Sequence, residues 1–188
     1  MNRFRLNALG SVIAALLSVS TSAAVVADEQ HDHHDHHGHQ HSSTEAHVHG
    51  EAALNLVIDG QTLLVEFISP MENLLGFEHA PKTEQQKQSY QQLLRQLAGY
   101  RSLFSIPGGQ CQLTDQHHKP PFNDASGKHA EWQGEYHLSC DELEQADRLQ
   151  PEIFSAFPGV EKLTVQLIST KGQSQFILSK DSDPVPLR

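Results

Sequence analysis

Alternation of apolar and polar residues predicts three β-hairpins. In each hairpin apolar side chains occupy every second position, so that they share one face of a strand. Turn sequences such as Asp59-Gly60-Gln61 and Lys171-Gly172-Gln173 separate the strands. The paired runs are 46–58 with 62–68, 110–116 with 131–140, and 163–167 with 176–178.

Helical signals fall between these hairpins. Thr83 and Gln86 form a capping box, and apolar residues at helical spacing follow, which predicts a helix from about Glu84 to Phe104. The segments 141–150 and 151–157 are typical of short helices, with Pro151 at a first helical position. The predicted order is ββαββαββ, an antiparallel α+β fold with two helices on one sheet face. Whether there is one sheet or two stays open.

The N-terminus has the three regions of a secretory signal peptide. Arg3 and Arg5 are basic, Leu6 to Val19 is apolar, and small residues lead to cleavage after Ala27 or Ala24. The apolar stretch is shorter than the ~20 residues that a spanning helix needs, so an uncleaved anchor is the minor alternative. The expected division is a signal peptide at 1–27, a disordered His-rich segment at 28–46, one α+β domain at 47–180 and a tail at 181–188. The expected location is the periplasm.

Histidine is concentrated directly after the signal peptide. Nine of the 14 histidines lie between His31 and His49, and neutral imidazole is a common metal ligand. The alternatives to a metal-binding segment are a solvated low-complexity tail and an affinity tag. The interleaved Asp32 and Asp35 argue against the tag. Removing Arg3 and Arg5 takes the net charge from −10 to −12, which disfavours nucleic acid as a partner. The predicted ligands here are His31, His33, His34, His36, His37, His39 and His41.

A second candidate site lies in the domain. On a strand, His47 and His49 would project from one face about 6.6 Å apart, close enough to share an ion with His137 or Glu135. By parity, Glu135 and His137 lie on the solvent-side row of their strand, and an ordinary polar face is the alternative. The adjacent His117 and His118 would point to opposite faces, so at most one of them joins a given site.

Cys111 and Cys140 are the two cysteines of the chain. In an oxidising compartment such a pair predicts a disulfide, here at the open end of the second hairpin. Closing the 29-residue loop would contribute about 3.6 kcal/mol in the chain-entropy model. Two thiolate zinc ligands are the competing interpretation.

Two motifs carry a resemblance to a known family. They are His47-Val48-His49-Gly50 leading into Ala53-Leu54-Asn55, and Pro70-Met71-Glu72-Asn73-Leu74-Leu75-Gly76-Phe77-Glu78-His79-Ala80-Pro81. The chain resembles the ZrgA-like family of zinc-regulated bacterial periplasmic proteins. The resemblance implies periplasmic Zn²⁺ binding in support of zinc uptake, with a zinc ABC importer or its periplasmic binding protein as the expected partner, and the family has no established catalytic activity. It carries over the His-x-His pair and Glu78-His79 as ligands.

Two other functions remain open from the sequence. Copper and nickel use the same imidazole ligands, although Met71 is the only methionine left after export, so a thioether-rich Cu(I) site is missing. A zinc-dependent hydrolase would rest on Glu78 or Glu135 beside an open metal position. The sequence contains no nucleophile elbow, no His-Glu-x-x-His helix and no phosphate-binding glycine loop, which disfavours an enzyme.

Overall fold

The computed structural model of the protein describes residues 48–122 and 130–187. The predicted signal peptide, the His-rich segment and His47 lie outside these described residues. The strands are β1 (Glu51–Asp59), β2 (Thr62–Pro70), β3 (Phe104–Ser105), β4 (Cys111–Lys119), β5 (Glu131–Cys140), β6 (Arg148–Pro151), β7 (Lys162–Ser169), β8 (Gly172–Leu178) and β9 (Val185–Pro186). The helices are α1 (Met71–Leu75), α2 (Glu84–Gln96) and α3 (Ile153–Ala156), and 3-10 turns cover Tyr100–Ser102 and Leu143–Gln145.

The strands form two sheets. The larger has the order β4-β5-β2-β1-β7-β8, and the smaller has the order β3-β6-β9. The three predicted hairpins are confirmed as β1-β2, β4-β5 and β7-β8. The fully antiparallel arrangement is wrong at one junction, where β1 and β7 run parallel. Alternation within a hairpin specifies its own pairing but carries no information about how two hairpins join.

The first strand begins later than the alternation predicts. Gly50 has φ +83°, in the left-handed region that favours glycine, and the Glu51 amide donates to the Val48 carbonyl at 3.1 Å. This turn ends the extended run, so β1 starts at Glu51 rather than near residue 46. Val48 is 56% exposed instead of buried, and His49 lies in the turn, not on a strand.

The predicted long helix is also shorter. Its capping box is present at Thr83 and Gln86, but α2 ends at Gln96. Gly99 adopts an extended backbone, which separates α2 from the 3-10 turn, and Phe104 pairs in β3. The apolar positions of this segment are nevertheless core residues, as expected. Leu93, Leu97, Leu103 and Phe104 are all buried.

The segment after β5 and the C-terminus differ from the prediction. Residues 141–150 were expected to be helical, yet a 3-10 turn is followed by β6, and Pro151 ends that strand rather than starting a helix. The small sheet explains the change, because β6 pairs with both β3 and β9. The expected tail is part of this sheet, since Val185 and Leu187 are buried.

One apolar core lies beneath the large sheet. β5 alternates strictly, with Trp132, Tyr136 and Leu138 buried, and the Tyr136 hydroxyl donates to the Leu97 carbonyl at 3.0 Å. Burial raises the pKa of Tyr136 above its usual value. The predicted disulfide between Cys111 and Cys140 is present at the open end of the β4-β5 hairpin. Within residues 48–122 and 130–187, no helix is long and apolar enough to cross a membrane.

Candidate metal centre

A buried asparagine holds the turn that carries His49. Asn73, in α1, is 6% exposed. Its Oδ1 accepts from the Gly50 amide at 2.7 Å, and its Nδ2 donates to the Glu51 carbonyl at 2.9 Å and to the Ser69 hydroxyl at 3.2 Å. The Pro70–Pro81 motif therefore fixes the backbone directly after His49.

The same motif brings a carboxylate to His49. After α1 the chain turns at Gly76, whose φ is +76°, and leads to Glu78. Glu78 Oε1 lies 3.1 Å from His49 Nε2. The Glu78 side chain is 14% exposed and that of His49 is 59% exposed. One partner is thus held against the protein, and the other faces solvent.

This contact fits shared ligation of zinc. Two ligand atoms on one tetrahedral zinc ion, each about 2.0 Å from the metal, lie about 3.3 Å apart. The observed 3.1 Å separation between His49 Nε2 and Glu78 Oε1 is close to that value. An imidazole nitrogen and a carboxylate oxygen are both ligands that zinc accepts. An ion could therefore replace the hydrogen bond with little movement.

His79 follows Glu78 and is partly buried. Its Nδ1 lies 3.0 Å from the Ala80 carbonyl, and its ring stacks on Phe77 with centroids 5.2 Å apart. A carbonyl partner requires the proton on Nδ1, which leaves the Nε2 lone pair free to bind a metal. Backbone hydrogen bonding of this kind orients many metal-binding histidines.

Glu135 and His137 lie on the outer face of β5, as expected. His137 Nε2 is 2.5 Å from Glu135 Oε1. The structure does not bring them to His49, however. Glu135 pairs with Glu66 on β2, which pairs with Asn55 on β1. Asn55 is four residues into β1, roughly 13 Å along the strand from Glu51, and the turn that carries His49 comes before that strand. Strand register thus separates the turn at His49 from Glu135 and His137, and an ion shared by these side chains with His47 stays a prediction.

The outer face beside Glu135 also holds Asp115, which the sequence analysis did not select, and His117, which it considered as one of an adjacent pair. His117 Nε2 lies 2.9 Å from Asp115 Oδ2. The Gln116 amide, which donates to Asp115 Oδ1 at 2.8 Å, lowers the pKa of Asp115 below its usual value, and the imidazoles nearby add to this. His118 faces the opposite way and stacks on Trp132 at 4.7 Å, so only one of the adjacent histidines joins this group.

No three histidine, cysteine, aspartate or glutamate side chains in residues 48–122 and 130–187 converge closely enough to hold a metal ion as they stand. The contacts above are pairs. The predicted ligands from His31 to His47 lie outside the described part of the chain, and their contribution to a site near His49 stays a prediction.

The family model of the ZrgA family zinc uptake protein matches residues 46–187. The match covers both motifs that meet at His49 and Glu78. The chain belongs to this family. A role in zinc uptake follows from that membership, and zinc is the associated metal. No curated protein matches the chain.

Proposed function

We propose that this ZrgA-family chain captures Zn²⁺ in the periplasm, buffers it and passes it to a zinc ABC importer or to that importer's periplasmic binding protein. One observation carries the proposal. His49 and Glu78, 29 residues apart in sequence, meet at 3.1 Å in the family-matched region. In this proposal zinc is cargo, and the chain performs no reaction on it.

The ligands are divided between a tight site and a high-capacity segment. The tight site uses His49 and Glu78, with His79 and His47 as its further ligands. The histidines from His31 to His41 bind additional ions weakly, because a segment of such composition has to be ordered at each binding event. The net charge of about −12 after export favours attraction of cations to the tight site and to the His-rich segment.

Zinc titration of the exported chain against a competing chelator tests the tight site. His49→Ala and Glu78→Gln should each weaken the tightest class by about 100-fold or more, since loss of a mere orienting partner already costs 10- to 100-fold. The double variant should be little worse than either single variant, because the two groups act as a unit. Glu84→Gln is the matched control. Glu84 is an exposed carboxylate on α2 that pairs with Lys87, and its loss should change nothing.

Uptake is tested in cells that lack the gene. Zinc-limited growth and accumulation of labelled zinc should be restored by the parent chain and by Glu84→Gln, and not by His49→Ala. Tight binding that survives the double substitution of His49 and Glu78 would contradict the site. Copper or nickel bound to protein isolated from the periplasm, in place of zinc, would contradict the cargo.

A further inference from the structure

A β-bulge turns two side chains of β4 onto the outer face of the sheet. Leu113 pairs with Leu138 and Asp115 with His137, so Thr114 is an extra residue without a partner in the ladder. Its hydroxyl donates to the His137 carbonyl at 3.0 Å. If Thr114 were paired in a regular ladder, Asp115 would face the core side, because side chains alternate along a strand. Bulges commonly redirect side chains next to functional sites.

The redirected residues meet two ligand-type residues of β5. Asp115 pairs with His137, and His117 pairs with Glu135. Directly opposite side chains start about 5 Å apart, and neighbours on one face of a strand are about 6.6 Å apart. The four side chains thus occupy the corners of a rectangle, with histidine and carboxylate at alternate corners. We call this group the edge cluster: Asp115, His117, Glu135 and His137.

The contacts within the edge cluster approach those of a zinc site. Each imidazole Nε2 already lies beside a carboxylate, at 2.9 Å for His117 and Asp115 and 2.5 Å for His137 and Glu135. The two imidazole centroids are 6.3 Å apart. Two imidazoles on one zinc ion have centroids about 5–6 Å apart. Small side-chain rotations would therefore suffice for both rings to reach one ion.

The surroundings favour an ion at this position. The four side chains are 38–67% exposed, so a hydrated ion can enter from solvent. The neighbouring carboxylate, Glu66, is engaged by Asn55 at 3.0 Å and by Gln133 at 2.6 Å and does not compete. The disulfide at the start of β4 locks the register that aligns the two strands.

We propose that the edge cluster is a second Zn²⁺ site, separate from the one at His49 and Glu78. His117 and His137 bind the ion through Nε2, and Asp115 and Glu135 complete a tetrahedral set. The site stands on strands rather than on the His-rich segment, so it should bind with a defined stoichiometry of one ion.

Equilibrium dialysis of the full exported chain with zinc chloride, followed by metal analysis, measures the number of ions bound. His117→Ala and His137→Ala should each lose one ion per chain, and the double variant should lose no more than one. His118→Ala is the matched control, because His118 is adjacent in sequence but stacks on Trp132 on the other face. It should bind as many ions as the parent.

Histidine ring NMR gives an independent readout. On addition of zinc, the Nε2 resonances of His117 and His137 should shift together in the parent and in His49→Ala, which separates this site from the proposed function. An unchanged ion count in the double variant, or ring signals of His117 and His137 that do not respond to zinc, would overturn the proposal.

Discussion

Replacing Asn73 with alanine should destabilise the fold and weaken the tight zinc class together. The substitution removes three hydrogen bonds, to the Gly50 amide, the Glu51 carbonyl and the Ser69 hydroxyl. Each contributes about 0.5–1.5 kcal/mol net. Because the side chain is almost fully buried, water cannot fully replace these bonds. We expect the free energy of unfolding to fall by about 2–3 kcal/mol.

Urea unfolding of the exported chain measures this loss. With a slope of about 2 kcal/mol per molar urea, the midpoint should fall by about 1–1.5 M. Asn55→Ala is the matched control. Asn55 makes one side-chain bond, to Glu66 at 3.0 Å on the outer face of the sheet, and its loss should cost about 1 kcal/mol or less.

Zinc affinity separates the two roles of Asn73. The Gly50 and Glu51 backbone groups that it holds come directly after His49, so the folded Asn73→Ala chain should bind the tightest zinc ion more weakly. Asn55→Ala should bind it normally. A midpoint for Asn73→Ala within about 0.3 M of the parent, or unchanged tight binding, would refute the view that the Pro70–Pro81 motif positions His49.

Two further outcomes follow from burial and from the division of ligands. Tyr136 is neutral in the folded chain because burial raises its pKa; the unfolded chain loses this proton near pH 10, so stability should fall as the pH rises above that value. Tyr136→Phe loses the hydrogen bond to Leu97 and should be about 1 kcal/mol less stable than the parent at pH 7. Its free energy of unfolding, measured with urea, should fall less than that of the parent between pH 7 and pH 10.5. Equal falls in the two proteins would contradict this. Deleting residues 28–43 should lower the number of zinc ions bound and leave the calorimetric melting temperature nearly unchanged, and a collapse of folding would refute it.

Local patterns predicted the hairpins and the disulfide because each depends on short-range information. Alternation and turn residues specify a hairpin register, and two cysteines in an exported chain allow one intramolecular pairing. The parallel junction of β1 and β7 depends on contacts more than a hundred residues apart along the chain. The alternation within either strand does not identify its neighbour across this junction. The small sheet of β3, β6 and β9 likewise pairs strands that are far apart in sequence.

The position of His49 depends on a single glycine. An alternating run predicts an extended strand through residues 47–51, and only the left-handed backbone at Gly50 turns it into a loop. Glycine is compatible with both conformations, so the pattern could not distinguish them. The consequence is chemical, because a strand would have placed His49 on the polar face of the sheet, whereas the turn brings it to Glu78.

The edge cluster shows the same dependence on one residue. Strict alternation from Cys111 would direct His117 to the core side and leave His118 beside Gln133, whereas the extra residue Thr114 exchanges the two histidines. A bulge of this kind has no sequence signature when the inserted residue is threonine, which is itself a good strand former. Ligand-type residues could therefore be recognised from the sequence, but their grouping required the structure. The same reasoning explains why His118, with the same chemistry one position away, packs on Trp132 and serves as the control.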